Sequence, residues 1–253
     1  MGTPDVTIRA TLAACATALL TALSISAAHA VTVAPMQVEM TSSGARSHAT
    51  VSVINNSNQP LPIEAAIKSM TLDEAGRAST AEAGDEFLVM PPQTIIPPGA
   101  TQNFRIQWLG EPMLAASRSY YIFFNQVPVK QKAGTAAVQV VMSVGTLVNV
   151  APPQGAASLR VLETGVSPPD KAGKRHPTIT LQNPGNVHAL VSTATVRVSG
   201  GGWSEVLTPG LLSEKLGSGL VQPGKRRKFS LPVDLPPNVT NVQATIELGP
   251  RRP

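Results

Sequence analysis

The sequence predicts an all-β protein built as two consecutive β-sandwiches, and three observations carry that expectation. Short runs of alternating apolar residues recur along the chain between Pro, Gly and Asn clusters, and no window sustains the three-to-four-residue period of an amphipathic helix. The second half of the chain repeats patterns of the first at a near-constant offset. The 253 residues contain one cysteine, Cys15, so beyond it no disulfide framework, thiolate metal site or cysteine nucleophile can be drawn, and folding rests on burial.

Residues 1–30 stand apart from the fold. Arg9 precedes a small-residue apolar run, Ala10 to Ala28, and Ala28-His29-Ala30 reads as an A-x-A cleavage site. The chain is therefore expected to be exported by a cleavable signal peptide, with no stable membrane insertion. Leu12-Ala13-Ala14-Cys15 has the form of a lipoprotein signal, but most of the apolar run follows the cysteine, and lipidation is not expected.

After residue 30 the strands come in order. Met36, Val38 and Met40 alternate in the first, Val51 and Val53 in the second, and Ile63, Ala65 and Ile67 in the third. Phe87 and Val89 precede Pro91-Pro92, which end that strand by removing backbone donors. Phe104, Ile106 and Trp108 alternate next, then Tyr120, Ile122 and Phe124, and finally the stretch Ala137 to Val148. Seven strands in about 120 residues is the count of an immunoglobulin-like sandwich.

The repeat supplies the second sandwich. Val51 to Asn55, running into an Asn-rich turn, matches Ile179 to Asn183 at an offset of 128. Ile96-Pro97-Pro98-Gly99 followed by Phe104 and Ile106 matches Val221-Gln222-Pro223-Gly224 followed by Phe229 and Leu231 at an offset of 125. Each Pro-Gly pair reads as a turn launching a strand whose Phe points into a core. The expected domains are 31–150 and 151–253, joined by the short Pro-rich hinge Ala151-Pro152-Pro153-Gln154-Gly155.

Charge separates the halves. Residues 31–150 carry seven Lys and Arg against eight Asp and Glu, and residues 151–253 twelve against six. A basic surface attracts nucleic acid, anionic lipid or an acidic partner, and an export signal removes nucleic acid from the expected partners. The densest run, Lys225-Arg226-Arg227-Lys228, reads either as a solvated hairpin shoulder or as a docking patch for an acidic partner. Asp73-Glu74 and Asp85-Glu86 read as solvated loop charge.

Little in the sequence points to catalysis. His48, His176 and His188 are not in metal-ligand spacing, no Gly-x-Ser-x-Gly elbow occurs, and Gly200-Gly201-Gly202 is a turn with no helix behind it. No catalytic residue, metal or cofactor is assigned, and the chain is not expected to be an enzyme.

The last strand of the first half carries the functional expectation. Val138, Val140, Met142 and Val144 stand on one face, while Val141, Ser143 and Leu147 can supply the inward face of a sandwich. The even-numbered row is then left over, and an unpartnered apolar edge invites β-augmentation by another chain.

Val51 to Pro62, Phe87 to Arg105 (FLVMPPQTIIPPGATQNFR), Ser119 to Pro128 (SYYIFFNQVP) and Asn183 to His188 together resemble the periplasmic pilus chaperones of the chaperone-usher system, the PapD-like family. The resemblance covers essentially all of the chain after residue 30. It implies a periplasmic, non-enzymatic chaperone that folds and caps pilin or fimbrial subunits by donor-strand complementation and delivers them to an outer-membrane usher. On that basis Val138, Val140, Met142 and Val144 are the donor residues, and the short loop Lys130 to Ala136 resembles that of chaperones of ordinary pili. One feature departs from the family. Its basic pair for the subunit's terminal carboxylate falls here at Glu39 and Leu147, neither basic, which leaves Arg105 and Arg118 as candidate anchors. The competing readings are an exported structural or adhesive two-domain protein that keeps its last strand, and a carbohydrate-binding module using Trp108 and Trp203.

Overall fold

The computed structural model describes residues 31–128 and 141–249. Ten strands form the first sandwich: β1 (Val31–Ala34), β2 (Gln37–Thr41), β3 (His48–Asn55), β4 (Leu61–Leu72), β5 (Ala78–Glu82), β6 (Phe87–Met90), β7 (Gln93–Ile96), β8 (Thr101–Trp108), β9 (Arg118–Gln126) and β10 (Ser143–Ala151). One sheet runs β1-β3-β8-β6, and the facing sheet runs β2-β10-β9-β4-β5 with β7 also on β4.

The sheets meet through the alternating rows that the sequence predicts. Val51, Val53, Phe104 and Ile106 from one sheet face Ile63, Tyr120, Ile122 and Phe124 from the other, all buried. The Phe87 ring stands edge-on 5.1 Å from Trp108 and 4.9 Å from Tyr120, and Phe104 lies 4.8 Å from Phe124. Each such burial is worth about 1.5–3 kcal/mol, which lets a cysteine-free sandwich hold together. Trp108 is part of this core and offers no stacking platform.

The expectation of one first strand through Met36 is corrected. Val31–Ala34 pairs with β3 in one sheet, whereas Gln37–Thr41 runs parallel to β10 in the other, and Met36 is exposed at the crossing. Pro35, with no N–H to give, interrupts the ladder where the chain changes sheets.

The second sandwich contains β11 (Arg160–Val166), β12 (Pro177–Gln182), β13 (Ala189–Leu190), β14 (Ala194–Gly200), β15 (Trp203–Leu207), β16 (Leu220–Val221), β17 (Arg226–Ser230) and β18 (Gln243–Leu248). Its sheets run β11-β12-β17 and β15-β14-β18, with β13 and β16 as a separate pair. Ile179, Leu181, Val196, Val198, Leu207 and Phe229 fill its core. A helix that the alternation does not predict, α1 (Pro209–Leu216), lies between β15 and β16, with the Thr208 hydroxyl accepting the Leu211 N–H and Leu212 buried. Eight residues are too few to show a helical period, but Thr208-Pro209 is a helix-start signature.

The sequence repeat is a repeat of hydrogen bonds. Asn55 Nδ2 donates to the carbonyls of Gln59 and Ile96 at 2.7 and 3.0 Å, and Asn183 Nδ2 to those of Val187 and Val221 at 2.8 and 3.0 Å. Each Oδ1 accepts a main-chain N–H two residues on, from Ser57 and from Gly185. Gly99 and Gly224 each donate to the carbonyl of their asparagine at 2.8 Å, with φ of 69° and 71°, a conformation glycine adopts at little cost. Both asparagines are fully buried. Asn183→Ala strands two buried carbonyls and Asn55→Ala one, that of Ile96, and each is expected to lower unfolding free energy by about 1–3 kcal/mol in urea titrations.

Candidate functional site

Strand β10 is paired on one side along its length and on the other only in part. It lies antiparallel to β9 from Ser143 to Val150, but β2 covers it only from Leu147 to Ala151. The Leu147 N–H reaches the Met36 carbonyl at 3.0 Å, and the Thr146 hydroxyl reaches that of Pro35 at 3.2 Å. Alternate residues of a strand direct their peptide groups to the same side. Ser143 and Gly145 therefore present N–H and C=O groups to an edge that no described strand occupies.

The side chains of this strand require a correction. Thr146, Val148 and Val150 are completely buried, and half-buried Val144 packs on the same core. The even-numbered row is thus the inward face, not a surplus beside it. Val141 is 49% exposed, and Leu147 looks the other way, lining a small cavity with Tyr121, Leu72, Leu216 and Arg227. The expectation failed because Thr146 reads as polar, although its hydroxyl is satisfied by Pro35. Met142 is half-buried beyond Val144, and Val138 and Val140, further along the row, lie outside the described residues.

The opposite face of the same strands looks into the cleft between the two sandwiches, where a polar network crosses. The Ser119 hydroxyl donates to Asn149 Oδ1 at 2.8 Å, and Asn149 Nδ2 donates to Glu39 Oε1 at 2.9 Å. Gln37 Nε2 also donates to that oxygen at 2.9 Å, and His188 Nε2 lies 2.6 Å from Glu39 Oε2. Ser117 closes the chain, its Oγ 3.0 Å from His188 Nδ1 and accepting the His188 N–H at 3.1 Å. Burial by itself would raise the Glu39 pKa, but His188, Asn149 and Gln37 together hold it below the usual carboxylate value.

A second set of contacts settles the role of the basic run. The Lys228 N–H donates to the Glu74 carbonyl at 2.7 Å, and Arg226 Nε lies 3.3 Å from the Glu74 carboxylate. Arg227 is half-buried, with its guanidinium over Phe229 and Nη1 donating to the Leu220 carbonyl. Arg226 also lies 3.1 Å from Glu163, so the run meets the chain's own carboxylates, and Glu74 is not merely solvated. Gln222 reinforces the contact as a surrogate peptide, accepting from Leu72 N–H and donating to the Met70 carbonyl, both at 2.8 Å.

Of the two candidate anchors, Arg105 lies on the outer, exposed face of the β1-β3-β8-β6 sheet, between Thr50 and Met90. Arg118 stands at the cleft, 2.6 Å from Glu86 Oε1. It lines a cavity of about 340 Å³ with Ser117, Tyr120, Met70, Gln222 and Lys225. The Tyr120 hydroxyl is buried there beside Arg118 and Glu86 without a hydrogen bond, and burial, with Glu86 adding to it, pushes the phenol pKa up. Glu86, read from sequence as solvated, is in fact the partner of Arg118.

Residues 30–155 match the family model of pili and flagellar-assembly chaperones, PapD N-terminal domain. The chain belongs to this chaperone family. No curated protein sequence matches it. Among solved structures, the class 5 fimbriae chaperone CfaA is 16% identical, with a TM-score of 0.53 over 88% of this chain and 100% of that one. A complex of the Salmonella enterica SafA pilin with the SafB chaperone matches at 20% identity and a TM-score of 0.51, covering 81% of this chain and 85% of that one. At such identities the likeness speaks for the shared two-sandwich fold.

Sequence reasoning missed four residues of the chaperone's cleft: Ser117, Asn149, His188 and Gln222. His188 stands within the Asn183 to His188 segment, and His and Glu 149 positions apart carry no local pattern. Among the described residues no three His, Cys, Asp or Glu side chains gather to hold a metal, and no helix is long and apolar enough to cross a membrane.

Proposed function

We propose that the protein is a non-enzymatic periplasmic chaperone, exported by residues 1–30, that lends β10 and the row before it to a pilus subunit. Two domains, 31–150 and 151–253, flank the cleft, and Val138, Val140, Met142 and Val144 are the donor residues. An outer-membrane usher receives the loaded subunit. The observation that carries this reading is the edge at Ser143 and Gly145, which no described strand occupies, beside Val144 and half-buried Met142. A strand lying on that edge would gain main-chain hydrogen bonds and bury the row, which is how β-augmentation divides affinity and specificity. Four such side chains are worth about 6–12 kcal/mol before ordering costs, at about 1.5–3 each. Co-expression with a pilin gene from the same locus, followed by purification through a tag on the chaperone, is expected to yield a one-to-one complex. Recovery of the chaperone alone with every neighbouring pilin would defeat the reading.

Arg118 is the carboxylate anchor in this reading, with the Tyr120 hydroxyl and Lys225 completing an anion-binding corner. Its charge, the unpartnered hydroxyl and the exposed ammonium line one cavity. Arg105, on the far sheet, is set aside. Arg118→Gln is expected to weaken subunit capture at least about tenfold, as loss of a charge-assisted bond does, while Arg105→Gln leaves it unchanged. Quantitative pull-down of the two variants side by side checks this.

A further inference from the structure

A second cavity in the cleft, of about 380 Å³, opens beside Glu39 and is lined by Gln37, His188, Ala157, Leu190 and Leu248 among others, with no Lys or Arg among the described residues. Of the carboxylate's acceptor positions, Oε1 uses two, for Gln37 and Asn149, and Oε2 uses one, for His188, so Oε2 keeps one free. The side chain is 29% exposed. Ser117 Oγ accepts the His188 N–H and lies 3.0 Å from Nδ1, so the ring is held with Nε2 facing Glu39 Oε2. The carboxylate therefore offers a free acceptor position at the end of an apolar cavity.

We propose that this cavity binds an aliphatic cation, the ammonium or guanidinium end of a Lys or Arg side chain of the bound subunit. The head group would meet Glu39 Oε2 while the methylene stem lies along Leu190 and Leu248. The proposal rests on the chaperone reading only for the source of that side chain. With Arg118 and Lys225 lining the other cavity, the cleft is charge-polarised, an anion corner on one side of the Ser117–His188 contact and a cation corner on the other.

The test uses the purified full chain and small probes, so its result is independent of subunit capture. Butylguanidinium is titrated while NMR follows the His188 ring and the amides of Glu39 and Leu190, with butyrate as the opposite charge. Saturable shifts with butylguanidinium and none with butyrate are expected. Glu39→Gln, which retains an acceptor for His188, should weaken the response at least about tenfold. Ala157→Leu, which fills the cavity without touching the network, should block it even if Glu39→Gln disturbs the fold. Butyrate acting at the same residues, or a butylguanidinium response indifferent to both substitutions, would overturn the proposal. So would binding that emerges only in a chain ending at Gly249, since that outcome assigns the cavity to the chain's own Arg251 and Arg252.

Discussion

Met142→Asp, alone or with Val140→Asp, is expected to abolish recovery of a subunit with the chaperone while leaving the chaperone's own unfolding midpoint nearly unchanged. Met142 sits beyond the last residue the core claims and is only half-buried in the free protein, so a carboxylate there remains solvated. In a complex the same carboxylate would have to enter an apolar groove, at a cost of several kcal/mol for an unpaired charge. Val144→Asp is the informative contrast, because Val144 packs on the sandwich core and its substitution should lower stability as well as capture. Pull-down together with urea unfolding of the three variants separates the two effects. Unimpaired capture by Met142→Asp would remove the row from the binding surface.

His188→Ala is expected to loosen the two sandwiches at pH 7, by up to about 3 kcal/mol, since it leaves Glu39 ionised and mostly buried without its nearest donor. The pH dependence has a defined sign. The Glu39 carboxyl is held below its ordinary value of 4.5, so its contribution is fully present above that pH and is lost as pH falls through the depressed value. Wild-type protein should therefore lose interdomain stability below about pH 4.5, and His188→Ala should flatten that loss. Differential scanning calorimetry across pH 3 to 7 reads both.

Much of the fold was legible in the residues. Alternation at Phe104, Ile106 and Trp108, or at Tyr120, Ile122 and Phe124, is a local pattern that the pleat of a strand turns directly into burial. The Asn-turn repeat was equally readable, because the bonds of Asn55 and Asn183 are made mainly with short-range and Pro-Gly segments that are themselves repeated. Register was less accessible. Which row of β10 faces inward turned on Thr146, whose polarity is compensated by Pro35, 111 residues away. The cleft was the least legible part. Glu39, Asn149 and Ser117 come from three separate segments that the β2-β10-β9 sheet lays side by side, and only the packing of the second sandwich brings His188 to them. Glu39 and Leu147 could be named as departures from a basic pair, but not that one would meet an imidazole and the other line a small cavity between the sandwiches.

The docking of the Glu74 turn on the Arg226 strand bears on how the protein articulates. The cleft is held by a buried network at Glu39 and His188, by the neutral hydrogen bonds of Lys228 N–H and Gln222 to the end of β4 and its turn, and by an ion pair at Glu74 and Arg226 whose side chains are 46% and 43% exposed. Salt acts on these unequally, since a screening length of about 8 Å at physiological ionic strength weakens the exposed pair and leaves the buried one nearly intact. Dissolved salt should therefore loosen the Glu74–Arg226 pair while the neutral Lys228 and Gln222 hydrogen bonds keep the two sandwiches joined beside it.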